Sequence, residues 1–144
     1  MAQLRDAIAR LSALGEVCRV SSIYETEPVE YTQQPWFLNC AVEMETGKSP
    51  EQLMAGIIAI EESMGRERIL KKGPRSIDID ILLFDDAIID SPELAIPHPG
   101  LHQRRFVLEP LAEIAPDIVH AFFKRTIREL RDALPAGQVV RLAK

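Results

Sequence analysis

The chain opens on a helical pattern. Leu4, Ile8, Leu11 and Leu14, with Ala7, form an apolar stripe at three- and four-residue spacing, and Gly15 supplies a stop, which predicts a helix over residues 2–14. Val17 to Tyr24 reads as a strand. Glu25 to Pro35, with Pro28 and the polar run Thr32-Gln33-Gln34, reads as a long loop, and loops of that length often serve function. From Trp36 the period becomes two: Trp36, Leu38, Cys40, Val42 and Met44 fall on one face of a strand, and Phe37, Asn39, Ala41, Glu43 and Glu45 on the other. Ser49-Pro50-Glu51-Gln52 starts a second helix, with Ser49 as N-cap, Pro50 in the first turn and Gln52 closing a capping box. Leu53, Ile57, Ile60 and Met64 are its buried stripe, and Gly65 is its expected end.

The second half is organised around Ile77-Asp78-Ile79-Asp80-Ile81-Leu82-Leu83-Phe84. Alternation through Ile81 predicts a strand with both carboxylates on one face and the isoleucines on the other. The apolar run after it predicts passage into a sheet covered on both sides. Asp85-Asp86 is a predicted turn, and residues 87–89 with 94–96 a short hairpin. Phe106 to Ile114 reads as helical despite Pro110. Thr126-Ile127-Arg128-Glu129 is a capping box for a last helix to Leu134, and Gln138 to Leu142 a final strand.

Composition bounds this picture. At 144 residues and 47% hydrophobic, the chain fits one domain with a real core. A net charge of −5 argues against a nucleic-acid-binding face, which needs a broad basic surface. No apolar run approaches the roughly 20 residues of a membrane span, and Arg5, Asp6 and Arg10 interrupt the first helix, unlike a secretory leader. Cys18 and Cys40 lack metal-ligand spacing and are expected to be buried thiols in a reducing cytosol.

Charge is concentrated where chemistry is expected. Arg66, Arg68, Lys71, Lys72 and Arg75 face a single acid, Glu67, between positions 66 and 75. Alternation at Asp78 and Asp80 alone fits a half-exposed strand. Beside that basic loop, however, paired carboxylates that can hold a hard cation such as Mg²⁺ form the combination phosphoryl transfer requires. Phe37 and Asn39 can stack on and hydrogen-bond a flat heterocycle, although the same pair also fits a solvated strand face. Glu61, near the helix end that feeds the basic loop, can reach a ligand or pair with Arg68 or Lys71. His98 and His102 are separated by Pro99-Gly100, which breaks the helix a zinc pair would need; His98 or Arg104 suits a phosphate contact better.

Gly73-Pro74-Arg75-Ser76-Ile77-Asp78-Ile79-Asp80-Ile81-Leu82 resembles the signature of the 6-hydroxymethyl-7,8-dihydropterin pyrophosphokinases of folate biosynthesis. Ser21-Ser22-Ile23-Tyr24-Glu25-Thr26, Gln34-Pro35-Trp36-Phe37-Leu38-Asn39, Gly65-Arg66-Glu67-Arg68, Ile96-Pro97-His98 and Arg104-Arg105-Phe106 extend the resemblance in family order over nearly the whole chain. It implies a single α+β, ferredoxin-like domain over residues 1–144, a mainly antiparallel sheet with helices packed on it. It also implies transfer of diphosphate from ATP to the hydroxymethyl group of a reduced pterin, giving AMP, with two Mg²⁺ ions as cofactors. A cytoplasmic monomer with no nucleic-acid or membrane partner is the corresponding expectation. By position, Asp78 and Asp80 match metal ligands, and Arg66 and Arg75 match catalytic arginines. Glu61, Arg68, Lys71, Arg75, Ile81, His98 and Arg104 match ATP contacts, while Thr26, Val29, Phe37, Asn39 and Phe106 match pterin contacts.

The sequence departs from the family in two places. The family begins with a strand, internal to its sheet, and a Gly-Ser-Asn loop ahead of the first helix, and residues 1–144 start at the helix. A catalytically impaired nucleotide-binding module is therefore the alternative reading, and a two-metal phosphohydrolase or nucleotidyltransferase is a further rival. The basic loop is also one residue shorter than in the best-known form, with Lys72 and Pro99 where aromatics are often found, which leaves the alignment of Lys71 open.

Overall fold

The computed structural model describes residues 2–27, 36–70, 77–137 and 139–143, with the backbone alone described at 66–70. Helix α1 (Ala2–Leu11) buries Ala7 and Leu11. Residues 12–14 continue as tight turns, the N–H of Leu14 donating to the carbonyl of Leu11 at 2.9 Å. Gly15 is required by close approach: a Cβ there would collide with the carbonyl oxygen of Glu45.

Each of the two long strands expected from the sequence is divided. The first gives β1 (Glu16–Val20) and β2 (Tyr24–Thr26), the second β3 (Phe37–Asn39) and β4 (Val42–Glu45). Strands β1 and β4 pair antiparallel with Val17 opposite Met44 and Val20 opposite Val42; β2 and β3 pair with Tyr24 opposite Asn39 and Thr26 opposite Phe37. The two ladders meet at a bend. There the Ser21 N–H donates to the Ala41 carbonyl at 2.8 Å, and the Ala41 N–H donates to Ser21 Oγ, also at 2.8 Å. A hydroxyl thus replaces a ladder carbonyl, which lets both strands turn while keeping a buried donor satisfied.

Helix α2 (Pro50–Leu70) starts as expected: the Ser49 N–H donates to Gln52 Oε1 at 2.9 Å and the Gln52 N–H to Ser49 Oγ at 3.1 Å. It does not end at Gly65. No described glycine adopts a positive φ, and without that left-handed turn a helical glycine costs only about 1 kcal/mol relative to alanine, which flanking turns absorb.

Residues 77–84 are extended but, among the described residues, join no ladder, contrary to the expected sheet strand. Beyond the turn at Asp85-Asp86 come β5 (Ile89–Asp90) and β6 (Ala95–Ile96), an antiparallel pair, then a 3₁₀ turn at Leu101–Gln103 and helix α3 (Arg105–Ile114), which accommodates Pro110. Helix α4 (Ile127–Asp132) carries the complete Thr126/Glu129 capping box, and β7 (Val140–Leu142) pairs with the far edge of β2.

Two apolar clusters hold these elements together. Ala7 and Leu11 of α1 and Leu53, Ile57, Ile60 and Met64 of α2 pack with Ile81 and Ile96; Val17, Met44, Ile77 and Ile79 flank them. Leu108 and Leu111 of α3 and Ile127 and Leu130 of α4 pack with Ala41 and Leu101, flanked by Leu82 and Leu83. Antiparallel strands with helices packed on them make an α+β fold of the expected ferredoxin-like kind. The cysteines depart from expectation: Cys18 is exposed and Cys40 only half-buried. Cys18 sits beside Glu16, Glu43 and Glu45 at a solvent-facing ladder, where apolar sequence neighbours do not cover it.

Candidate active site

The site begins with the extended segment. Asp78 and Asp80 are exposed, Ile77 and Ile79 half-buried, and Ile81 is 7% exposed. The isoleucines face the α1–α2 cluster, so the two carboxylates leave the opposite side together. Glu61 reaches this segment from α2: its Oε2 accepts the Ile79 N–H at 2.7 Å. That bond anchors a backbone donor with no ladder partner, a role that neither ligand contact nor ion pairing had suggested.

Burial pushes the Glu61 carboxyl above its ordinary pKa. The Ile79 N–H opposes this, and the charges of Asp78 and Asp80 add to the rise. The charges of Asp78 and Asp80 therefore both reach Glu61. Asp78 and Asp80 offer the hard oxygen donors that a divalent ion such as Mg²⁺ takes, but Glu61 does not close a three-ligand cluster with them; among the described residues the side chains that come that close are Glu16, Cys18 and Glu45.

The loop after β6 is tied to the same segment. The His98 N–H donates to the Leu82 carbonyl at 2.9 Å, and His98 Nδ1 accepts the Gly100 N–H at 3.2 Å. Arg104 lies against Gly100 and holds its guanidinium carbon 5.9 Å from the ring centre of Phe106, at the start of α3. Ile81 sends its side chain into the α1–α2 cluster.

A second group lies on the β3-β2-β7 sheet. Directly paired residues of a ladder share a face, so Thr26, Phe37 and Asn39 project together. Thr26 is 2% exposed and its Oγ1 accepts from Asn39 Nδ2 at 3.2 Å, while Phe37 stays exposed at 38%. Helix α3 packs on β2 and β3. Of the remaining expected residues, Val29, Lys71 and Arg75 lie outside the described residues, as do the side chains of Arg66 and Arg68, whose backbone continues α2.

One polar cluster was not foreseen. Glu113 of α3 accepts from Tyr24 Oη at 2.7 Å, from the Ser22 N–H at 2.8 Å and from Ser22 Oγ at 3.2 Å. Burial and the Glu113 carboxylate push the Tyr24 hydroxyl up to about 12; the Glu113 carboxyl is lowered, its own burial being outweighed by the Tyr24 and Ser22 donors. Partners 89 and 91 positions apart leave no local signal. Glu113 fixes α3 against the bend that carries β2.

Between β4 and the extended segment lies a slot of about 580 Å³. Residues 40–46 and 77–85 line it, together with side chains from α1, α2 and α3. Among the described residues, β4 joins a ladder only with β1, and residues 77–84 join none, their Ile79 N–H going to Glu61 and their Leu82 carbonyl to the His98 N–H.

Fold and site together define an α+β domain that sets the exposed carboxylates Asp78 and Asp80 on one segment and the shared face of Thr26, Phe37 and Asn39 on a separate sheet. The model of the 7,8-dihydro-6-hydroxymethylpterin-pyrophosphokinase family matches residues 1–116, and the chain belongs to that family. A Bacillus subtilis protein named 2-amino-4-hydroxy-6-hydroxymethyldihydropteridine pyrophosphokinase is 47% identical over 117 residues, covering 80% of this chain and 70% of that protein. A Methylorubrum extorquens protein of the same name is 41% identical over 139 residues, 94% of this chain and 87% of that one. The folic acid synthesis protein fol1 of Schizosaccharomyces pombe is 43% identical over 142 residues; the match covers 97% of this chain but only 19% of that much longer protein.

Proposed function

We propose that the chain is a single pyrophosphokinase domain that transfers diphosphate from ATP to the hydroxymethyl group of 6-hydroxymethyl-7,8-dihydropterin, giving AMP and the pterin diphosphate for tetrahydrofolate synthesis. The observation that carries this reading is the shared, solvent-facing side of Asp78 and Asp80, with Glu61 bonded behind them. The pterin hydroxyl oxygen forms a bond to the β-phosphorus. The bond from that phosphorus to the α,β-bridging oxygen breaks, its electron pair leaving with AMP, and the hydroxyl proton is released.

Asp78 and Asp80 are the residues that would hold two Mg²⁺ ions, which when bound neutralise the polyphosphate charge. Arg66 and Arg75 stabilise charge on the transferring group, and Arg68, Lys71, His98, Arg104, Glu61 and Ile81 position the nucleotide. Thr26, Val29, Phe37, Asn39 and Phe106 hold the pterin, Phe37 and Phe106 enclosing its ring. Exclusion of water protects the reaction from competing hydrolysis. We read the protein as a cytoplasmic monomer acting on small molecules; no helix among the described residues is long and apolar enough to cross a membrane.

The test is product analysis with ATP, Mg²⁺ and the dihydropterin, for the unaltered protein and for Asp80→Ala. AMP with pterin diphosphate is expected from the first and is abolished in the second. ADP or free phosphate as product, ATP binding without AMP release, or unchanged AMP formation by Asp80→Ala would refute the reading.

A further inference from the structure

Strand β7 does more than widen a sheet. Its pairing with β2 sets Arg141 opposite Glu25, Val140 opposite Thr26 and Leu142 opposite Tyr24. The contact runs on at both ends: the Glu27 N–H donates to the Val139 carbonyl at 3.1 Å, the Val139 N–H to Glu27 Oε1 at 2.7 Å, and the Ala143 N–H to the Ile23 carbonyl at 2.8 Å. Because cross-strand partners share a face and neighbours alternate, Arg141, Glu25 and Leu38 lie behind the sheet from Thr26, Phe37 and Asn39.

On that rear face Arg141 makes two contacts at once. Its Nε donates to Glu25 Oε1 at 2.6 Å, and its guanidinium carbon stands 4.0 Å from the centre of the Trp36 ring. Glu25 precedes Thr26, and Trp36 precedes Phe37. The guanidinium therefore bridges the residues next to a buried hydroxyl and an exposed aromatic that face each other across the β2–β3 ladder. An exposed ion pair of this kind contributes little to folding. A shift of about 1 Å in a substrate-holding group, in contrast, is enough to weaken a site severely.

We infer that Arg141 is a positioning residue for the ring-binding face: through Glu25 and Trp36 it sets the separation of Thr26 and Phe37 from behind. The inference rests on the assignment of Thr26, Phe37 and Asn39 to the pterin. Arginine suits the task where lysine does not, because a planar guanidinium can stack on the indole while keeping an in-plane N–H for the carboxylate.

The experiment compares Arg141→Ala and Arg141→Lys with the unaltered protein. Calorimetric titration with 6-hydroxymethyl-7,8-dihydropterin and separately with Mg·ATP is read beside the emission of Trp36, the sole tryptophan. Arg141→Ala is expected to raise the pterin Kd about tenfold while Mg·ATP affinity changes by less than about twofold. Trp36 emission shifts to the red as its ring loses its cover. Arg141→Lys, which keeps the charge but not the planar stack, restores part of the pterin affinity. Unchanged pterin affinity in Arg141→Ala, or equal weakening of pterin and ATP, overturns the inference and leaves the functional reading intact. An unaltered protein that binds ATP but no pterin overturns both.

Discussion

Glu61 offers the sharpest test of how the carboxylate segment is held. Glu61→Ala removes the acceptor of the Ile79 N–H, a 2.7 Å bond to a charged oxygen. Bonds of that kind contribute about 1.5–3 kcal/mol, and a donor left unsatisfied adds to the loss. Two features reduce the figure: the site is half-buried, and removing Glu61 relieves repulsion with Asp78 and Asp80. A net destabilisation of about 1–2 kcal/mol is expected for the alanine variant. Glu61→Gln keeps an acceptor oxygen and also relieves the repulsion, so its change should stay within about 0.5 kcal/mol, the weaker neutral bond being offset. Urea unfolding followed by Trp36 emission measures both, with unchanged m-values required for the comparison. Mg²⁺-dependent ATP binding should weaken in the same order, alanine more than glutamine, because the Asp78–Asp80 segment loses its tether. Equal destabilisation by the two substitutions, or none by either, would refute the proposed anchor.

Two further outcomes follow from burial. Leu108→Ala, at a side chain 0% exposed between α3 and α4, should cost about 2.7–5.0 kcal/mol in urea unfolding; a loss below about 1 kcal/mol would mean that this cluster is not packed as described. His120, 3% exposed, accepts the N–H groups of Phe122 and Phe123 at Nδ1, and burial, with His102 nearby, holds its pKa below the ordinary value. The unfolded chain therefore takes up a proton first on acidification. The stability contributed is fully present above about pH 6.5 and is lost as pH falls from there through the lowered folded-state value. His120→Gln should flatten that part of the stability–pH curve, and an unchanged curve would count against the arrangement.

What the sequence made legible was local. Both capping boxes, the α1 stripe, the Asp85-Asp86 turn and the alternation of Asp78 and Asp80 depend on neighbours within four positions, and each is present. The breaks at Ser21 and Ala41 were not legible, because a serine that substitutes for a ladder carbonyl can be recognised only once its partner across the hairpin is known. Gly65 misled for a related reason: a stop depends on the left-handed turn, which composition does not encode. The pairing of residues 77–84 was expected from their apolar character, but a ladder needs a neighbour, and the adjoining space is the slot. Of the candidate site, the acids and the Phe37–Asn39 face could be read directly. The anchoring by Glu61, the Glu113 cluster and the Arg141 bridge join residues 18, 91 and 116 positions apart.

The closing of β7 onto β2 carries a consequence for biogenesis. Arg141 and Glu25 are separated by 116 positions, so the chain entropy lost in bringing them together is compensated only when β7 docks. During translation, at roughly 5–20 residues per second, the outer edge of β2 stays uncovered until Val140–Leu142 has been made. A nascent polypeptide stalled just short of Val139 would expose that edge to other chains, which makes the interval before β7 is synthesised and docked the period of greatest need for a chaperone.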